Sequence, residues 1–290
     1  MKLKNLILII ALAYSNFTFS QLSAVTFRSE EFAKFSASKT FFVKTGNATF
    51  DSETENALTE LWKLTPFEII DFETFEKKLP DVSASFILSI VISVSSKYDD
   101  QNYHYLALIN GGKKSLRKYR YEDMIAYCPI NHFQNEPKNT DCAYRVRNMV
   151  ESMILAMDLT QKNDIRGTTF DIAKRLQEIY NSRSGKIKDR TMLFCESSFG
   201  GKITKADIAG LYPFKFEMCS KEKIEQVIKD KSTEYYYYQP CFTYNTSIFV
   251  VDPSNGEIVY FRMGIPVLGY PKLKTKDIED LTEAVKGMKK

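Results

Sequence analysis

Two stretches of the chain repeat one order of strand and helix signals, and that repetition limits the fold more than any other feature. The first runs from Lys39 to Gly112. KTFFVKTG is a short apolar run with the look of a strand. SETENALTELWKL follows, with Ala57, Leu58, Leu61, Trp62 and Leu64 at helical spacing. Pro66-Phe67-Glu68-Ile69-Ile70 is a second strand. Asp71 is placed to cap a helix whose inward face would be Phe72, Phe75 and Leu79, and Pro80 stops it. Phe86 to Val94 and Tyr105 to Ile109 are two further strands, the latter ending in Asn110-Gly111.

The second stretch runs from Asp189 to Arg262. RTMLFCES is the strand and ITKADIAGLY the helix, with Ile203, Ile208 and Leu211 on one face. Pro213-Phe214-Lys215-Phe216 matches Pro66-Phe67-Glu68-Ile69. Ser220 is placed to cap a helix with Ile224, Val227 and Ile228 inward. Tyr235 to Tyr244, Ile248 to Val251 and Ile258 to Phe261 are strands, the last two joined by the turn signal Asp252-Pro-Ser-Asn-Gly256. Each unit reads β-α-β-α-β-β. Helical crossovers imply parallel strands, and the closing hairpin adds antiparallel ones. The predicted fold is therefore α/β: internally duplicated units forming two related lobes joined by helices. The joining helices are Tyr144 to Leu159 and Phe170 to Tyr180, and a last helix spans Lys276 to Met288. The predicted organisation is a signal peptide over 1–20, a first lobe over 21–125, a loop with connecting helices over 126–186, and a second lobe with its C-terminal helix over 187–290.

The leader supplies the address. Lys2 and Lys4 precede the apolar run LILIIALAY, and Thr18-Phe19-Ser20 offers small residues at the −3 and −1 positions of a cleavage site before Gln21. The run is shorter than the roughly 20 apolar residues a bilayer span needs. No cysteine stands beside the cleavage site to take a lipid. Export to the periplasm or the cell exterior is expected, with no transmembrane segment after cleavage. Cleavage removes two lysines and no acid, taking the formal charge from +4 to +2. That balance gives no reason to expect nucleic acid. Charged residues at 26% and hydrophobic ones at 44% are ordinary globular values.

Five cysteines lie at 128, 142, 195, 219 and 241. In an oxidising compartment they would tend to pair, and an odd number leaves one over. Cys128 with Cys142 is the first candidate disulfide, closing the loop PINHFQNEPKNT. Two of Cys195, Cys219 and Cys241 form the second.

No cofactor, metal site or catalytic constellation stands out. The loop Glu196 to Thr204 contains Gly200-Gly201-Lys202, but Ile203 follows the lysine, so the phosphate-loop pattern fails and a plain turn is the reading. The matching loop of the first unit, Thr45 to Asp51, is acidic. Cys128, His132 and Cys142 fit no standard zinc spacing. His104 and His132 are the only histidines, and there is no G-x-S-x-G elbow for a Ser–His–Asp triad. Asp99-Asp100 is a turn, and Asp252 to Glu257 lacks the alternating acids of a calcium loop. Lys113, Lys114, Arg117, Lys118 and Arg120 form the densest basic stretch. They would meet an anionic partner or serve as the lysine-guarded edge of a sheet. The Tyr235 to Tyr238 run puts two tyrosines on each face of a strand, one in the core and the other expected under a helix.

Export, repetition and the lack of catalytic residues together predict a non-catalytic envelope protein that works through protein–protein contact. Such a protein would be an accessory subunit of a cell-surface or secretion assembly. The alternatives are a small-molecule or glycan binder in an interlobe cleft and a secreted hydrolase.

Overall fold

The computed structural model describes residues 24–25, 29–95, 100–119, 123–133, 139–199, 203–242, 246–263 and 273–287. The leader, its cleavage site, Asp99, Arg120, Gly200-Gly201-Lys202 and Met288 lie outside them, as do the side chains of Asp100 and His132.

The first unit contains β1 (Ala24–Val25), α1 (Ser29–Ser36), β2 (Lys39–Val43), α2 (Ala48–Leu61), β3 (Phe67–Ile70), α3 (Phe72–Lys78), β4 (Ala84–Ser95), β5 (Asp100–Asn110) and β6 (Met124–Phe133). A 3-10 turn (Asn139–Arg145), α4 (Val146–Lys162) and α5 (Thr169–Asn181) connect it to the second unit. There follow β7 (Thr191–Cys195), α6 (Lys205–Leu211), β8 (Phe216–Cys219), α7 (Lys221–Lys229), β9 (Tyr235–Phe242), β10 (Thr246–Val251), β11 (Ile258–Arg262) and α8 (Thr275–Val285).

Local chemistry explains the helix starts. Asn47 accepts from the Phe50 N–H and Asp71 from the Thr74 N–H. Thr168 with Asp171, and Thr204 with Asp207, form reciprocal capping boxes. Each cap satisfies donors that the first helical turn leaves over.

Both sheets have one topology. The first is ordered β1-β6-β5-β4-β2-β3 and the second β11-β10-β9-β7-β8. Apart from the two-residue β1, the orders correspond strand for strand. The penultimate strand, β2 or β7, is parallel to both its neighbours, and the remaining pairs are antiparallel. The registers also correspond. Thr40 faces Phe67 and Ser85, as Met192 faces Phe216 and Tyr236. Phe216 is therefore the counterpart of Phe67. The Pro66-Phe67 to Pro213-Phe214 match predicted from sequence is out of step by two residues.

The two units meet through opposite faces. In each, the crossovers run outward to the edge strand and then back past the penultimate strand, which puts successive helices on opposite sides of the sheet. One large core takes Phe42, Ile87, Leu106 and Leu108 of the first sheet with Phe50 and Leu58 of α2. It also takes Leu193, Tyr237 and Phe249 of the second sheet with Ile224, Val227 and Ile228 of α7. Thus the first unit contributes the side bearing its first helix, and the second unit the side bearing its second. Val146, Met149, Val150 and Met153 of α4 and Ile172 and Leu176 of α5 fill the space between. Each outer face has its own core: Phe86 and Tyr105 beneath Phe75 of α3, and Phe194 and Tyr238 beneath Ile208 of α6 and Ile278 of α8. The tyrosine run accordingly has both faces covered. Gly256 in the β10–β11 turn fastens the second unit to α4. A Cβ there would stand 2.5 Å from the Glu151 Cβ, and its φ is +70°. Ser152 Oγ donates to the Gly256 carbonyl at 2.7 Å.

Three sequence expectations are corrected. The stretch beginning at Cys128, expected as a loop, is part of β6: Cys128 pairs with Leu106, and Asn131 with His104. Pro129 suggested a turn, but it sits at a register irregularity, where a missing ladder N–H is tolerated. The basic stretch is not an edge strand, because Leu116–Lys118 is a 3-10 turn. Phe72 is not on the inward face of α3. As the first helical residue it stays 53% exposed.

Candidate functional site

A concave feature of the first unit lies where its parallel strands end. β4 and β2 last pair at Ile87 and Phe42, yet β4 continues to Ser95. From residue 88 onward, no strand among the described residues pairs with the β2-facing edge of β4. Open α/β sheets commonly bind ligands at such carboxyl ends. Here the space is a cleft of about 240 Å³ lined by Val43, Lys44, Thr45, Phe72, Leu88, Ser89, Val91, His104 and Leu116.

Each wall has a local cause. Lys44 and Thr45 directly follow β2, and their loop is held by Asp51. The Asp51 carboxylate accepts from the Thr45 N–H at 2.8 Å, the Thr45 hydroxyl at 2.8 Å and the Gly46 N–H at 2.9 Å. The Thr45 and Gly46 amides ahead of this helix already bind a carboxylate of the chain itself. Phe72 enters from the first turn of α3. Val91, on the outrunning part of β4, is 44% exposed. Leu116 comes from the basic 3-10 turn, where the exposed Arg117 and Lys118 follow it in sequence.

At its floor, Ser89 Oγ makes a hydrogen-bond contact with His104 Nε2. His104 is 1% exposed, and burial lowers its pKa to about 4. The imidazole is therefore neutral at pH 7. A neutral imidazole beside a hydroxyl has the composition of a nucleophile–base pair, but so weak a conjugate base activates a hydroxyl poorly near neutral pH.

A second cleft of about 410 Å³ lies between α4, α5 and the β10–β11 turn. Ser152, Asp158, Lys162, Tyr180, Arg183 and Glu257 are among its lining residues. Much of its charge is internally matched: Arg183 pairs with Glu257 at 2.6 Å and Lys162 with Asp158 at 2.7 Å.

The residues singled out in the sequence are dispersed. Lys113 is engaged locally, in an ion pair with Asp123 and over the Tyr119 ring at 4.8 Å. Lys114, Arg117 and Lys118 are exposed. All five cysteines are buried thiols without a bridge. Cys128 and Cys142 lie in the shared core with Cys241, gathered round the buried Arg145. Arg145 donates to the Ile130 carbonyl. Burial raises the thiols of Cys128 and Cys241, and the Arg145 guanidinium only partly offsets this. Such thiols are poor nucleophiles at neutral pH. Among the described residues, no three His, Cys, Asp or Glu side chains group as metal ligands, and no helix is long and apolar enough to cross a membrane.

Comparison with known proteins finds no matching family model, no matching curated protein and no matching solved structure.

Sequence reasoning missed the Ser89–His104 contact and the apolar rim of Phe72 and Val91. The strand signals KTFFVKTG and Phe86 to Val94 are similar in length, and it is the stop of β2 at Val43 that leaves β4 running on beyond its parallel neighbour.

Proposed function

We propose that this chain is an exported, non-catalytic envelope protein that holds a partner polypeptide. The occupant is an extended segment with apolar side chains and acidic flanks. It adds to the edge of β4 and seats its side chains between Phe72 and Val91. One observation carries this reading: two large apolar residues, 53% and 44% exposed, border a strand edge that outruns its neighbour. Main-chain pairing to an open edge provides affinity, and flanking pockets provide selectivity. Arg117 and Lys118 beside Leu116 favour acidic flanks. Oxidation of Cys128 with Cys142 belongs to the same exported setting.

Affinity purification from the envelope of cells that express the protein naturally tests this. Wild type should retain a stable partner that Val91→Lys and Phe72→Lys release, while both variants stay folded. Equal retention by all three counts against the site, and no partner with any of them counts against the function.

The 410 Å³ cleft favours a second reading, a small-molecule or glycan binder, since its volume falls in the usual range for ligand pockets. A thermal-shift screen discriminates, because a specific ligand at about 100 times its dissociation constant adds about 2.7 kcal/mol.

A further inference from the structure

We propose that Cys195 and Cys219 form a reversible disulfide that ties the edge strand β8 to β7. The two strands are parallel, and Cys195 stands directly opposite Cys219. In-register residues of neighbouring strands point to the same face, and both of these enter the shared core. Strands lie about 4.7–4.9 Å apart, inside the Cα separation of roughly 4.4–6.8 Å that a disulfide spans. Cβ atoms across such a pair start somewhat wider than the roughly 3.8 Å a disulfide prefers. The position absorbs this approach, because each cysteine is the last residue of its strand. β7 passes into a 3-10 turn at Glu196–Phe199, and β8 into Ser220 at the start of α7, so no further rung fixes either chain.

The first unit carries an internal control. At the same register its parallel strands pair Val43 with Ile70, an ordinary apolar contact. The second unit puts thiols at both of these matched positions. Cys128 has Leu106, not a cysteine, as its in-register neighbour on β5.

The chemistry needs a disulfide oxidant such as oxidised glutathione. The Cys195 thiolate attacks one sulfur of the oxidant, whose S–S bond breaks to release one thiol. Cys219 then attacks the mixed disulfide at Cys195 and expels the second thiol. The two cysteines lose two electrons and two protons, and the oxidant is reduced to two thiols. Burial pushes the Cys219 thiol up to about 12, so the closing step is slow near neutral pH and quicker in mild alkali.

Trypsin separates all five cysteines, with Cys195 in residues 191–202 and Cys219 in residues 216–221. The folded full chain is equilibrated with oxidised glutathione, quenched in acid, alkylated and digested without reduction. The expected product is peptide 191–202 joined to peptide 216–221, lighter by two hydrogens than the separate pair. Two alkylated peptides, a stable glutathione adduct on either, or linkage of either to another cysteine overturns the proposal. Cys195→Val with Cys219→Ile, copying the first unit, provides a second readout. Oxidation should raise the thermal midpoint of wild type by a few degrees and leave that variant unmoved. An equal rise in both also overturns it.

Discussion

Asp51→Ala should be among the most damaging single changes outside the hydrophobic cores, and the structure sets its size. The carboxylate is buried and accepts three hydrogen bonds between 2.8 and 2.9 Å, two from backbone amides and one from a hydroxyl. Hydrogen bonds to a charged acceptor contribute roughly 1.5–3 kcal/mol each, but three that share one residue do not add fully. The Thr45–Gly46 loop is also partly open to water, which recovers part of the loss. The net cost is then about 3 kcal/mol. Asp171→Ala is the matched control. It removes an exposed capping carboxylate and should cost about 1 kcal/mol or less. Urea unfolding followed by circular dichroism measures both. With a slope near 3 kcal/mol per molar, Asp51→Ala moves the midpoint down by about 1 M and Asp171→Ala by about 0.3 M. Asp51→Asn, which keeps one accepting oxygen, should fall between. An Asp51→Ala midpoint within about 0.2 M of wild type, with the slope unchanged, would refute the claim that this carboxylate fixes the cleft wall.

Other predictions follow from buried charge. His104 has its pKa depressed to about 4 in the folded chain against an unfolded value near 6.5. Between those pH values the unfolded chain binds the extra proton, so stability falls as pH drops through the window. The loss is about 3 kcal/mol and complete below pH 4. Subtracting the pH–stability curve of His104→Gln should isolate this slope, and a flat difference sinks the assignment. Arg262→Met removes the guanidinium that joins the buried carboxylates of Asp277 and Asp280 from β11 to α8, leaving Asp277 with the Lys274 N–H and Asp280 with Lys276. Calorimetry should find it less stable by about 2 kcal/mol at neutral pH, and an unchanged thermal midpoint counts against this role of the guanidinium.

The repeated order was legible because it is local. Helical spacing over Ala57–Trp62, the cap at Asp71 and the turn after Asp252 act within a few residues, and each appears in place, whereas Ser220 holds the cap position without a side-chain cap hydrogen bond. Four further features were not legible. β6 was hidden because Pro129 carries a turn signal, whereas its partner β5 and the irregularity that accommodates it are remote in sequence. The exposure of Phe72 depends on where β2 stops relative to β4, a matter of register that the apolar pattern of α3 does not encode. The use of opposite faces in the shared core is set by how whole units dock. Composition within either unit says nothing of it, since both faces of each sheet are apolar. The Ser89–His104 contact likewise joins neighbouring strands through a diagonal pairing.

The most direct measurement of the functional claim is site-specific photo-crosslinking at Val91, with a benzoylphenylalanine in its place, in cells making the full chain at natural levels. The account predicts one discrete adduct with a second polypeptide outside the cytoplasm. The adduct should form also from position 72, not from the exposed helix position 226, and be lost when Arg117 and Lys118 are changed to glutamate. Positions 91 and 72 giving no adduct, or the same adducts as position 226, would contradict it.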